Sequence, residues 1–152
     1  MTRYAENTSV SVEKSRAEIE RTLQRYGADK FMSGWDQDKA YIAFVFQGRA
    51  YRLTLTLPEK KEFAQTPTHG WMRSPEARDR EWEQACRQRW RALALVVKAK
   101  LEAIEAGIGS MEDEFLAYAI LPSGQTVSQW LQPQIQDALE GGKMPVALLP
   151  GD

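Results

Sequence analysis

One uninterrupted apolar stripe constrains the fold more than anything else in the chain. Trp82, Cys86, Trp90, Leu93, Val97, Leu101 and Ile104 recur at steps of three and four residues. That spacing keeps a single face of an α-helix turned to a core. Ser74 supplies an N-cap and Pro75 the first helical position, while Gly107 and Gly109 supply the stop. At about 1.5 Å per residue, some thirty helical residues run about 45 Å. This exceeds what a small domain needs, so one end is expected to project or meet a partner.

Other elements are legible on either side. Ser11 caps a first helix whose apolar residues are Val12, Ile19, Leu23 and Tyr26, and Gly27 closes it with left-handed backbone. Residues 31–35 form a weaker strand that ends at Asp36-Gln37-Asp38. In residues 41–46, Ile42, Phe44 and Phe46 share one strand face and Tyr41, Ala43 and Val45 the other. Gln47-Gly48 is a tight hairpin turn. Tyr51, Leu53, Leu55 and Leu57 then alternate against Arg52, Thr54 and Thr56 until Pro58. After the long helix, Ser110 opens a short segment, and the pattern over 115–121 fits either helix or strand. Thr126 with Gln129 forms a capping box for a last helix through Trp130, Leu131, Ile135 and Leu139, with a kink expected at Pro133.

The expectation is an α+β fold. A small antiparallel β-meander is packed by the N-terminal helix and the long central helix, with a helical C-terminal cap. One domain spans 1–152, with residues 1–10 a flexible arm and 143–152 an irregular apolar tail. At 152 residues, 43% hydrophobic and 27% charged, the chain has the size and composition of one globular unit. No apolar run approaches a bilayer span or a signal peptide, and Cys86 is the lone cysteine. A cytoplasmic protein without disulfides is expected.

Charge is unevenly spread. Residues 73–100 hold eight bases against four acids, and residues 101–152 hold eight acids against Lys143 alone. On the long helix Arg80, Arg87, Arg91 and Lys98 make one ridge, and Arg78, Arg89 and Lys100 a second, flanking the apolar seam. Such ridges attract a phosphate backbone. Arg49 and Arg52, near Tyr41 and Tyr51, would add a surface on which bases stack. The acidic C-terminal third either neutralises the basic helix or presents a nucleic-acid-like surface to a host protein. The loop over 58–74 is long for a compact domain and offers Phe63, His69 and Trp71 to a partner. Trp82, Trp90 and the length of the helix leave room for a helix-mediated homodimer.

Catalytic signatures are sparse. His69 and Cys86 are single residues, too few for a structural zinc site. Gly107-Ile108-Gly109-Ser110 lacks the lysine of a phosphate loop, and no Gly-x-Ser-x-Gly occurs. No cofactor or metal site is expected. Glu59-Lys60-Lys61 provides a Glu-x-Lys after the third strand, with Asp36 or Asp38 upstream. This order of elements is similar to the core of restriction-type nucleases, which implies a Mg²⁺-dependent site, although Pro58 takes the triplet off the strand.

A second likeness rests on Arg89-Trp90-Arg91, Lys98-Ala99-Lys100-Leu101-Glu102-Ala103, Leu121-Pro122-Ser123-Gly124-Gln125-Thr126-Val127, Pro133-Gln134-Ile135, Met144-Pro145 and Leu148-Leu149-Pro150. Over residues 11–151 the chain resembles small uncharacterised accessory proteins of tailed phages and prophages. The resemblance implies a role in DNA replication or recombination, or in blocking host defence. The leading expectation is a non-enzymatic accessory protein that binds nucleic acid through the long helix. The alternative is a protein-binding, anti-CRISPR-like inhibitor of a host factor, and the third reading is a Mg²⁺-dependent nuclease.

Overall fold

The computed structural model describes residues 3–142. In chain order the main elements are α1 (Val12–Arg25), β1 (Lys30–Asp36), β2 (Lys39–Phe46), β3 (Arg49–Thr56), α2 (Pro75–Glu105), α3 (Met111–Glu114) and α4 (Val127–Glu140). Short 3-10 turns occupy Lys60–Phe63 and Leu116–Tyr118. The tail over 143–152, with the Met144-Pro145 and Leu148-Leu149-Pro150 segments of the phage-like pattern, lies outside the described residues.

The three strands form an antiparallel sheet in the order β1-β2-β3. Gln47 and Gly48 both take positive φ, 48° and 78°, at the β2–β3 turn, where a two-residue hairpin demands left-handed backbone. Facing residues share a side of the sheet. Phe31–Phe44–Tyr51 and Ser33–Ile42–Leu53 therefore lie on the inner side, and Met32–Ala43–Arg52 on the outer. Beneath the inner side run α1 and α2. Glu18 meets Arg91, and Tyr26 meets Glu102 and Glu105, so the two helices run in the same direction.

The predicted stripe is buried from Cys86 to Leu101, and its ends, Trp82 and Ile104, are partly buried. Cys86 is buried, and Trp90, Leu93, Val97 and Leu101 pack with Ile19 and Leu23 of α1 and Ile42, Phe44, Tyr51 and Leu53 of the sheet. Each such side chain contributes about 1.5–3 kcal/mol of apolar burial. Ser74 caps α2 by accepting from the Ala77 amide at 3.2 Å, and Pro75 opens the helix. Ser15, fully buried on α1, leaves its hydroxyl without a hydrogen-bond partner among the described residues.

The C-terminal part closes the core through Met111 and Phe115. Phe115 meets Phe44 and Tyr51 edge-on, at centroid distances of 5.5 and 6.0 Å, while Phe44 and Tyr51 stack at 5.3 Å. Residues 115–121 are neither a full strand nor a regular helix. A 3-10 turn leads into two isolated bridges, Ala119 to Tyr51 and Ile120 to Thr126. α4 is anchored by its first turn, where Thr126 and Gln129 form the expected capping box, and no α4 residue is buried. The helix continues across Pro133. Gln84 donates to the Glu6 and Thr8 carbonyls and Gln88 to that of Tyr4, so the segment read as a loose arm lies along α2. No helix among the described residues is long and apolar enough to cross a membrane.

Candidate nucleic-acid interface

The two basic ridges of α2 have different fates. The ridge of Arg78, Arg89 and Lys100 is engaged inside the molecule. Arg89 donates to the Thr56 carbonyl at 2.9 Å, and Arg78 pairs with the neighbouring Asp79 at 3.1 Å. Lys100 donates to the Glu114 carbonyl at 2.9 Å and lies over the rings of Phe115 and Tyr118. Arg89 and Lys100 fasten α2 to β3 and α3, while Arg78 is paired within α2, so this side of the helix offers no bare basic stripe.

The other ridge lies along the junction with α1. Arg91 pairs with Glu18 at 2.6 Å, with its own side chain 15% exposed, and Arg87 holds the Gln84 side-chain carbonyl at 3.1 Å. Arg80 and Lys98 are exposed and form no ion pair among the described residues. α1 adds further cations to this ridge. Glu18 faces α2, and residues three, four and seven positions away share its side of the helix. Those positions are Arg21, Lys14 and Arg25, all exposed and outside any ion pair among the described residues. The α1–α2 junction thus brings Lys14, Arg21, Arg25, Arg87, Arg91 and Lys98 to one side, against Glu18, Glu102 and Glu105. In sequence the α1 cations read as the polar face of an ordinary amphipathic helix. Only the parallel packing of α1 on α2 joins them to the ridge.

The residues of the expected stacking surface on the meander are divided: Tyr41 and Arg52 line one hollow with Lys39, Thr54 and Gln129, whereas Tyr51 and Arg49 lie on the other side of the sheet. Tyr51 is 1% exposed within the aromatic cluster and has no face to offer a base. Arg49 and Arg52 lie on opposite sides of the sheet, since Arg49 faces Phe46 and Arg52 faces Ala43. Arg52 is also held, donating to the Gly124 carbonyl at 2.8 Å and to Gln129 at 3.3 Å. The basis for a helix-mediated dimer changes as well. Trp90 is buried, and Trp82 donates its indole N–H to the Pro58 carbonyl at 2.7 Å beneath the ammonium of Lys60.

The loop before α2 is ordered by its own hydrogen bonds. The Thr66 amide donates to the Trp71 carbonyl at 2.8 Å, and the Trp71 amide donates to the Thr66 hydroxyl at 3.0 Å. Gly70 turns between them with φ 67°. Arg73 reaches back to the Phe63 and Gln65 carbonyls. His69 stacks on Trp71 at 4.6 Å, and Trp71 remains 68% exposed, while Phe63 is half-buried.

Of the nuclease residues, Asp38, Glu59 and Lys60 line one open hollow with Trp82. Lys60 leans toward Asp79 at 3.8 Å, and Lys61 pairs with Glu59 at 2.9 Å, which holds its ammonium above the usual lysine range. The Glu59 amide donates to the Glu62 carboxylate at 2.7 Å at the start of the following 3-10 turn. No group of three metal-ligating side chains converges among the described residues. Cys86 is a core thiol, pushed up in pKa by burial.

Comparison with known protein families, with characterised proteins and with solved structures returned no match.

Proposed function

We propose that this is a non-enzymatic binding protein that holds a nucleic-acid backbone against the ridge formed by α1 and α2. The observation that carries this reading is the row of Lys14, Arg21, Arg25 and Lys98, exposed and outside any ion pair among the described residues. Cations already paired within a fold have little left to exchange with phosphate, whereas unpaired ones release counterions from the nucleic acid on contact. Arg87 and Arg91 sit between the four and add to the local field while they hold the helices together. In the setting implied by the sequence resemblance, the protein would act in the cytoplasm as a phage-type accessory factor on DNA.

A second reading, a protein-binding inhibitor of a host factor, is favoured by one observation. The His69–Trp71 stack is exposed at the tip of a loop whose backbone is already ordered. Exposed aromatic residues on a rigid support lose little entropy when they enter a partner's pocket.

Fluorescence anisotropy with labelled single- and double-stranded DNA separates the two. Arg21→Gln with Lys98→Gln should weaken DNA binding, while Trp71→Ala should leave it unchanged. No DNA binding at low salt removes the first reading. Mg²⁺-dependent cleavage abolished by Glu59→Ala would replace both with the nuclease.

A further inference from the structure

We infer that β1 is the contact edge of a symmetric homodimer, in which two copies pair their β1 strands antiparallel about Ser33 and join their sheets into one. The two outer edges of the sheet differ. The β3 edge is partly covered, because the Ile120 amide donates to the Ala50 carbonyl at 2.9 Å and Ala119 bridges Tyr51. Along β1, no strand among the described residues pairs with the outer edge. The strand contains no proline, and Met32 and Trp35 on it are 69% and 79% exposed. An edge of this kind is a template for a further strand.

The hydrogen-bond alternation fixes which groups are free. The Leu57 amide donates to the Asp38 carbonyl, so the even-numbered residues of β2 bond β3 and the odd-numbered ones bond β1. By the register, β1 uses Lys30, Met32, Gly34 and Asp36 toward β2. Phe31, Ser33 and Trp35 therefore turn their N–H and C=O groups outward. Two such edges, placed antiparallel about Ser33, match these three residues with one another: Phe31 with Trp35 of the second copy, and Ser33 with itself.

The side chains fit the same register. On the outer side, Lys30 of each copy faces Asp36 of the other, so two opposite-charge pairs close the ends. Met32 faces Gly34, where a Cβ would meet nothing within 4 Å, so the thioether has room to lie across the glycine. On the inner side, the exposed indole of Trp35 meets Phe31, a favourable cross-strand aromatic pair. Any register shifted by one residue would set outward-bonding groups against inward-bonding ones. A shift by two would lose both charge pairs. This complementarity of the edge with itself is what selects a second copy of the chain over a foreign peptide. The pairing needs no nucleic acid, and its test uses none.

The test is sedimentation of the full chain over a range of concentrations, together with directed cross-linking. The wild-type protein should sediment as a dimer at micromolar concentrations. Ser33→Cys should oxidise to a disulfide-linked dimer, because facing hydrogen-bonded residues sit about 5.5 Å apart at Cα, within disulfide reach. Ser123→Cys on the exposed turn should not. Asp36→Lys should shift the protein to monomer by setting lysine against lysine, and Lys30→Asp combined with Asp36→Lys should restore the dimer. The rescue distinguishes lost contact from lost fold. A wild-type monomer at every concentration overturns the inference, as does a dimer indifferent to the charge swap in which Ser33→Cys fails to cross-link.

Discussion

Replacing Arg21 and Lys98 together by glutamine tests the ridge quantitatively. If Lys14, Arg21, Arg25 and Lys98 each neutralise one phosphate of a duplex, the slope of log affinity against log salt is about −0.9 per contact, or about −3.6 in all. Raising salt fourfold, from about 50 to about 200 mM, should then weaken wild-type binding about 150-fold. With two contacts gone the slope falls to about −1.8, and the same rise in salt should weaken binding only about 12-fold. Both positions are exposed and helical, and glutamine is a good helix former, so the fold should be undisturbed. Anisotropy at four or five salt concentrations gives the slope, and circular dichroism checks the fold. Arg89→Gln serves as the contrast, because that guanidinium is engaged by the Thr56 carbonyl and its removal should leave the slope alone. A slope unchanged in the double variant, or reduced equally by Arg89→Gln, would refute the assignment of the ridge.

Three further outcomes follow from the core and the helix junction. Ser15→Ala should raise stability by about 1 kcal/mol, because a buried hydroxyl without a partner is removed and alanine is the better helix former; thermal denaturation should show a higher midpoint, and a lower one would mean the hydroxyl is satisfied. Phe115→Ala should cost about 3–5 kcal/mol, as it empties the aromatic cluster that joins the C-terminal segment to the sheet; urea unfolding measures it. The Tyr26 hydroxyl donates its one proton to Glu105 at 2.6 Å, with the Glu102 carboxylate 3.1 Å away, and these carboxylates raise its pKa well above the ordinary 10.0. Its stabilising contribution is therefore fully present below pH 10.0 and is lost as the pH climbs through the higher folded value. Tyrosinate absorbance should lose one late-titrating tyrosine in Tyr26→Phe, while Tyr51, raised by its burial, still titrates late, and an unchanged titration curve would contradict the hydrogen bonds.

Much of the fold follows from patterns within single segments. The stripe from Trp82 to Ile104, the caps at Ser11, Ser74 and Thr126, the Gln47-Gly48 turn and the alternation of β2 and β3 are local rules of period and backbone geometry. They hold whatever packs against them. The 115–121 segment stayed ambiguous because its form depends on what it meets: Phe115 enters a cluster built by β2 and β3, and Ala119 borrows the edge of β3. The site was less legible, since a charge's availability is decided by neighbours distant in sequence. Arg89 and Lys100 read as a basic ridge until Thr56 and Glu114 are seen to hold them. Lys14, Arg21 and Arg25 belong to the ridge only because Glu18 and Tyr26 set α1 alongside α2 in the same direction. Tyr51 alternates as a strand residue should, yet its depth in the core depends on Phe115, more than sixty residues away. Periodicity thus determined which residues of each segment face inward, and tertiary structure decided which outward-facing charges were left for a partner, because pairing acts across space and periodicity along the chain.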